Sequence, residues 1–282
     1  MADLDKFYTK REVAQRLFEG KFEGNPRLDN ALVVEPSAGD GAILEFLPRK
    51  RTIALDLEPA AKGIKQANFF DFEMYRLVTE PPFPKEPKTK RDRYVIVAGN
   101  PPFGQNASLA VKFFNHASTF ADEIRFIVPR SFRKDSVQRR LCDFFHLRHD
   151  EDLPKNSFLK DGQPYDVPCC FQIWVRAAKH RRKRPAPVAV PGVQFVKDPS
   201  QANLAIRRVG GRAGQVVPLC NDKGAYASAS STYYLNIQFA RVHQKLKSFE
   251  GSLCPVSRNN TAGVRSVSKP ELLDALARLV SR

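Results

Sequence analysis

Apolar positions in this chain come in short runs broken by Pro, Gly and charged residues, and no run approaches the roughly eighteen residues of a membrane span. Runs rich in Val, Ile, Leu and Phe at 31–35, 52–57, 67–72, 95–99 and 123–129 predict buried strands, with further strands expected over 146–153 and 167–175. Helical spacing occupies the ground between them. Thr9 with Glu12 three residues on, before Val13, Ala14 and Leu17, predicts a capping-box helix start; a helix is expected from about Gly41, and others over 107–117 and from about Asp135 to Phe145. Beyond residue 188 the pattern changes to short strands at 188–196, 204–209 and 233–237, a turn at Gly210, Gly211 and Gly214, and a helix over 270–280.

The run that organises the rest is Val95-Ile96-Val97-Ala98-Gly99-Asn100-Pro101-Pro102-Phe103-Gly104. Two successive prolines have no N–H to give a ladder, so the backbone leaves the sheet at the strand's carboxyl end, where α/β sheets carry their chemistry. The turn presents a side-chain amide, a carbonyl and an aromatic ring. Asn100 Oδ1 and the Pro101 carbonyl can together accept both hydrogens of an exocyclic NH2 group, and Phe103 can stack on the ring that bears it.

Composition narrows the setting. The chain has 282 residues, 42% of them hydrophobic, enough for one large domain or a medium domain with an appendage. MADLDKFYTKRE has no apolar signal region, so a soluble intracellular protein is expected, with no membrane partner. Cys142, Cys169, Cys170, Cys220 and Cys254 show no CxxC spacing, which argues against a disulfide framework and against zinc; the five histidines are scattered and take no role. The net charge of +16 points to a polyanionic partner, and residues 183–282 carry 15 Lys/Arg against 5 Asp/Glu, a net of +10.

Asn100-Pro101-Pro102-Phe103 resembles the catalytic motif of class I S-adenosylmethionine-dependent amino methyltransferases, the group that methylates N6 of adenine. Other segments match in order. Phe7-Tyr8-Thr9-Lys10 with Val13-Ala14 resembles the first motif of those N6-adenine methyltransferases in which a cofactor motif precedes the glycine loop, and Val34-Glu35-Pro36-Ser37-Ala38-Gly39-Asp40-Gly41 resembles that loop; it lacks the GxGxxG spacing of a dinucleotide site. Val128 to Phe132, VPRSF, resembles the strand end after the catalytic helix of DNA adenine methyltransferases. The resemblance spans residues 5–104 and in outline reaches 176. It implies a Rossmann-like α/β fold with a mostly parallel seven-stranded sheet, the last strand antiparallel, and a C-terminal mixed α+β appendage. It divides the chain into a methyltransferase domain over 1–178, a basic Pro-rich linker over 179–191 and a basic region over 192–282 as the place for target recognition.

The resemblance also implies a site. Asn100, Pro101, Pro102 and Phe103 are the catalytic turn, and S-adenosyl-L-methionine is the cofactor, which Asn100 would also contact, with no metal. Its methionine end would lie near Tyr8 and Thr9, with Glu35 toward its amino group and Pro36, Ser37, Ala38, Gly39 and Gly41 forming the loop beside it. Asp56, at the tip of the second strand and followed by Leu57, would accept from the ribose hydroxyls, with Glu58 a neighbour rather than the ligand; Asp71 would accept from the cofactor's adenine N6, with Phe72 beside the ring. The implied activity is methyl transfer to N6 of adenine in nucleic acid, DNA ahead of RNA. The alternatives are a protein glutamine N5-methyltransferase using a similar turn, and a non-catalytic nucleic-acid-binding subunit that keeps the fold.

Four stretches stay open on sequence. Residues 79–92, TEPPFPKEPKTKRD, read as a solvated loop or a substrate-touching insertion, and 176–184, RAAKHRRKR, as a solvated linker, a phosphate-contacting strap or a nuclear-address signal. Pro168-Cys169 reads as a buried structural cysteine rather than a nucleophile. Arg207, Arg208 and Arg212, with Ser257 to Arg265, put cations and amides on loops that serve either target recognition or solvation.

Overall fold

The computed structural model describes residues 7–72, 94–182, 189–261 and 263–280. It divides into two compact units, residues 1–183 and 184–282.

The first unit is built on seven strands. β2 (Leu32–Glu35), β3 (Thr52–Asp56), β4 (Lys65–Gln66), β5 (Val95–Gly99), β6 (Glu123–Pro129), β7 (Phe145–Asp152) and β10 (Cys169–Arg176) form one sheet in the order β4-β3-β2-β5-β6-β10-β7. The pairs from β4 to β6 are parallel, and β10 runs antiparallel to both neighbours. This is the Rossmann-like topology expected from sequence. Strands β2, β5 and β6 are buried at every position, which explains the apolar runs Leu32-Val33-Val34 and Val95 to Ala98; β6 buries Glu123 and Arg125 as a pair. Strand order reverses between β2 and β5, so the crevice at their carboxyl ends is the topological switch point.

The helices are fewer than the periodicity suggests. α1 (Arg11–Phe18) buries Val13, Ala14, Leu17 and Phe18, α2 (Pro26–Asp29) and α4 (Asp135–Gln138) are single turns, and α3 (Ser108–Ala117) follows the Asn-Pro-Pro turn. Several expectations need correction. Thr9 does not cap α1: Lys10 stands at the N-cap without a side-chain bond, because Tyr8–Thr9 is itself a strand, β1, paired with β8 (Phe158–Lys160). No α-helix follows the glycine loop; positive φ at Gly41 (+83°) and the proline at 48 leave too few residues to nucleate one, and only 3-10 turns form at Leu44–Phe46 and Arg49–Arg51. The third strand is Lys65–Gln66 rather than 67–72, where Asn68 instead caps a 3-10 turn over Phe69–Asp71. The helix expected to reach Phe145 stops after one turn, because Asn115 Oδ1 takes the Cys142 N–H at 2.9 Å and Phe145 enters the sheet.

A hairpin unforeseen from sequence, β8 with β9 (Gln163–Tyr165), turns through Asp161 (φ +51°) and Gly162 (φ +75°), the paired positive angles of a two-residue hairpin turn. The basic run after β10 is in part structural. Arg176 donates to the carbonyls of Ala121 and Ser118, and Arg181 to those of Phe145 (2.5 Å) and Gln138 (2.8 Å), so both belong to the first unit rather than to a free linker. Lys183 and Arg184 of that run, with 185–188 after it, and the stretch 79–92 lie outside the described residues.

In the second unit β11 (Val193–Val196), β12 (Leu204–Arg207), β13 (Val216–Val217) and β14 (Thr232–Ile237) form an antiparallel sheet ordered β11-β14-β12-β13. α5 (Ala240–Lys247) and α6 (Lys269–Val280) share its core through Leu246, Leu272 and Leu276, packed with Leu204, Ile206 and Leu235. α6 starts on a capping box: Glu271 Oε2 accepts from Ser268 N–H at 2.7 Å while the Ser268 hydroxyl faces the Glu271 N–H at 3.4 Å.

Candidate active site

The carboxyl ends of β2, β3 and β5 open onto a cavity of about 320 Å³ in the first unit. Glu35 ends β2, Asp56 ends β3, and Asn100 follows β5; the register Glu35 opposite Ala54 and Val34 opposite Val97 brings these tips to one level. Its wall includes Tyr8, Thr9, Glu35, Pro36, Ser37, Ala38, Gly39, Asp56, Leu57, Asn100, Pro101, Pro102 and Phe103 from the residues singled out in sequence.

The glycine loop is stitched to β3. Asp56 Oδ2 accepts the Gly39 N–H at 2.7 Å and its Oδ1 the Glu58 N–H at 2.8 Å, while Ala38 N–H reaches the Leu55 carbonyl at 2.9 Å. Each carboxylate oxygen keeps a lone pair for a further donor such as a hydroxyl. Glycine is the favoured residue at position 39. Its φ is +54°, and a Cβ would stand 2.9 Å from Tyr8 Cε1, inside contact distance.

Glu35 is 1% exposed and its Oε2 has no hydrogen-bond partner among the described residues. Burial above all, then the charges of Asp40 and Asp56, push its carboxyl well above the ordinary range. A buried carboxylate without a partner is stabilised by a cation, and none of the lining side chains supplies one.

The Asn-Pro-Pro turn is held at both ends. Ser37 Oγ donates to the Asn100 carbonyl at 3.0 Å, and the Phe103 carbonyl accepts the N–H groups of Leu109 (3.1 Å) and Ala110 (3.2 Å) at the start of α3. Asn100 Nδ2 donates to the Phe7 carbonyl at 3.1 Å, so the amide's orientation leaves Oδ1 as the acceptor; that buried Oδ1 has no partner among the described residues. Neither does the Pro101 carbonyl. Two open acceptors on adjacent residues beside an aromatic ring can chemically take one hydrogen bond each from a donor entering the cavity. Just beyond them Asn106 (φ +53°) and Ala107 (φ +58°) hold left-handed backbone angles, a strained pair for residues with a Cβ.

Three residues singled out in sequence lie off the wall. Gly41 turns the loop by donating to the Ala38 carbonyl at 2.8 Å but does not line the cavity. Asp71 is exposed, because the 3-10 turn swings it outward, and Phe72 packs into the core against Phe69 and Phe120. Their places are taken by Asn68, Phe69 and Phe70, with Phe113 of α3 lying 5.0 Å from Phe70, edge to face. The Asn68-Phe69 pair at the third strand's end, one turn before Asp71, was the available signal. His116 supports this wall: its Nε2 lies 3.1 Å from the Phe72 carbonyl, and as a carbonyl only accepts, that nitrogen carries the proton.

Cys169 and Cys170 are buried thiols whose ionisation burial pushes upward, which suits core packing rather than nucleophilic attack. Among the described residues no His/Cys/Asp/Glu group could hold a metal ion, and no helix is long and apolar enough to cross a membrane.

No family model matches the chain, and no curated protein does. Among solved structures it is similar to the crystal structure of the 23S rRNA methyltransferase ErmE, at 15% identity over 64% of this chain and 74% of that one, with a TM-score of 0.41. It is also similar to the M protein of the type I restriction enzyme EcoKI, at 15% identity over 100% of this chain and 72% of that one, with a TM-score of 0.41.

Proposed function

We propose that the protein is an S-adenosylmethionine-dependent methyltransferase that modifies N6 of adenine in nucleic acid. The observation that carries the proposal is the pairing of two orphaned buried acceptors on one cavity wall, Glu35 Oε2 and Asn100 Oδ1, on the neighbouring strand ends of the switch point, with Gly39 and Asp56 lining the same cavity. The residues fit the cofactor: an unpartnered carboxylate suits its ammonium group, Asp56 its ribose hydroxyls, and the Cβ-free Gly39 leaves the room beside Tyr8 that a side chain would fill.

When bound, the cofactor supplies a methyl group on a positively charged sulfur. The protein's share is orientation and electrostatics. The amino nitrogen of adenine is a poor nucleophile, because its lone pair is delocalised into the ring. Asn100 Oδ1 and the Pro101 carbonyl, accepting one N–H each, favour a pyramidal nitrogen with a localised lone pair. Neither oxygen is basic enough to take a proton from the neutral amine, so each holds one N–H in place; once the nitrogen has gained the methyl group and become acidic, one of these protons would leave to water. Phe103 stacks on the base, at roughly 1–3 kcal/mol, offsetting the few kcal/mol needed to take a base out of a helix.

The +16 charge favours nucleic acid over a protein amide as the carrier of the amine. Incubation with methyl-tritiated cofactor and, separately, DNA, total RNA and protein extract tests the reading. Label in N6-methyladenine nucleosides by mass spectrometry is the expected result; label only in protein glutamine would overturn it.

A further inference from the structure

The second unit has a cavity of its own, about 630 Å³, between the Gly210–Arg212 turn and the segment 217–227. No acidic residue lines it. Arg207, at the end of β12, and Arg212, exposed on the glycine turn, both line it, and Tyr226 on the facing segment is 49% exposed. The Arg212 guanidinium has no ion pair or hydrogen bond among the described residues, and Arg207 has only a long contact, 3.5 Å, to Thr232 Oγ1.

These groups rest on built supports. Arg258, read from sequence as a loop cation, is instead partly buried beneath the turn, its Nη1 donating to the Gly211 and Ala213 carbonyls at 3.4 Å each. Tyr226 pairs with Cys220 in a β-bridge and meets the Tyr234 ring at 90° with centroids 6.1 Å apart; the Tyr234 hydroxyl in turn holds the Ala227 carbonyl at 2.8 Å. A half-exposed aromatic so fixed has little conformational freedom to lose on stacking.

We propose that this cavity binds single-stranded nucleic acid, with a base stacked on Tyr226 and adjoining phosphates held by Arg207 and Arg212. Two cations on a wall that no acidic residue lines select an anion, and an aromatic ring beside them selects a planar group attached to it. A concave pocket suits an unstacked base, which a duplex keeps within its helix. The proposal narrows the nucleic-acid substrate read above to strands with unpaired bases, and it rests on that reading only for its link to methyl transfer.

Fluorescence anisotropy with a labelled single-stranded oligonucleotide of mixed sequence, a matching duplex and a mononucleotide tests it on the full chain. Tyr226→Ala should weaken single-strand binding about tenfold and Tyr226→Phe should retain it, because stacking needs the ring alone. Arg207→Ala with Arg212→Ala should lower the slope of log affinity against log salt by about 1.4, roughly 0.7 for each phosphate contact to a single strand. Arg212→Ala on its open turn gives half that change even if the change at Arg207 in β12 disturbs folding. Full single-strand affinity in Tyr226→Ala, an unchanged salt slope in Arg212→Ala, equal binding of the duplex, or binding of the mononucleotide alone would each overturn the proposal. Tight strand binding without methyl incorporation would sink the transferase reading and leave this one standing. Methyl incorporation with full affinity in Tyr226→Ala would do the reverse.

Discussion

The Asn100 side chain donates to the main-chain carbonyl of Phe7 across 3.1 Å, so the segment before β1 dictates which way the amide of the Asn-Pro-Pro turn faces. An amide's two ends differ only in hydrogen bonding, and a carbonyl partner accepts from nitrogen alone. Asn100→Ala should lower the methylation rate by at least about 10²-fold, the usual loss when one preorganised polar contact to a transition state is removed. Asn100→Asp should lose as much, as its carboxylate would face the Phe7 carbonyl with no proton to share. Calorimetry with S-adenosylhomocysteine should find the affinity of the alanine variant within a few-fold of wild type. A variant that turns over normally would remove Asn100 from the chemistry.

The middle strands of the central sheet, β2, β3 and β5, were legible because burial leaves no polar alternation to confuse the reading: Val33-Val34, Ala54-Leu55 and Val95 to Ala98 allow little else, whereas the exposed edge strand Lys65–Gln66 carries no such run. Elements set by distant partners were not. Thr9 and Glu12 have the spacing of a capping box, but Thr9 pairs with Phe158, a partner no local rule can see, while Ser268 and Glu271 have the same spacing and do form one. Asp71, an acid at an expected strand end, lies off the cavity wall; the local Asn68 cap, its Oδ1 accepting from Phe70 N–H at 3.2 Å, turns the chain so that Asn68 and Phe70 meet the cavity. Asp161-Gly162 was readable as a hairpin turn, and only the weak alternation of its short flanking strands concealed it.

Gly39→Ala should be felt twice. A Cβ at φ +54° costs about 1–2 kcal/mol in backbone strain, and the same Cβ at 2.9 Å forces the Tyr8 ring to move. Lower thermal stability and weaker S-adenosylhomocysteine binding are expected together. Adding Tyr8→Ala should recover part of the stability lost through the clash and none lost through φ, so the double-mutant cycle should give a favourable coupling. Strict additivity would mean that the ring makes no contact there.

Glu123 and Arg125 form a buried pair, with side chains 8% and 6% exposed, on β6. Arg125 also donates to the Lys21 carbonyl at 2.7 Å, and the Tyr94 hydroxyl donates to Glu123 Oε2 at 2.9 Å, so the pair ties β6 to the turn after α1. Arg125→Ala strands a buried carboxylate and should cost about 3–5 kcal/mol in urea unfolding. Replacing the set together, as Arg125→Met, Glu123→Leu and Tyr94→Phe, should cost far less, since no charge or hydroxyl is then left unmatched. An alanine variant as stable as wild type would show that water reaches Glu123.

Glu35 couples the site to pH. Burial, and then Asp40 and Asp56, raise its folded-state pKa above the unfolded value, so the protonated carboxyl stabilises the fold at low pH and that contribution is lost as pH rises through the raised pKa. Glu35→Gln, which cannot ionise, should therefore melt above wild type at neutral and alkaline pH, with the difference shrinking toward acid pH. Ligand binding should show the opposite preference. A bound ammonium group favours the carboxylate, so wild-type affinity for S-adenosylhomocysteine should rise with pH until Glu35 is ionised in the free protein, with proton release measurable as a buffer-dependent binding enthalpy. Glu35→Gln should bind more weakly and release no such proton. If wild-type affinity does not change from pH 5 to 8, or the glutamine variant keeps the same proton release, Glu35 does not meet the ligand's charge.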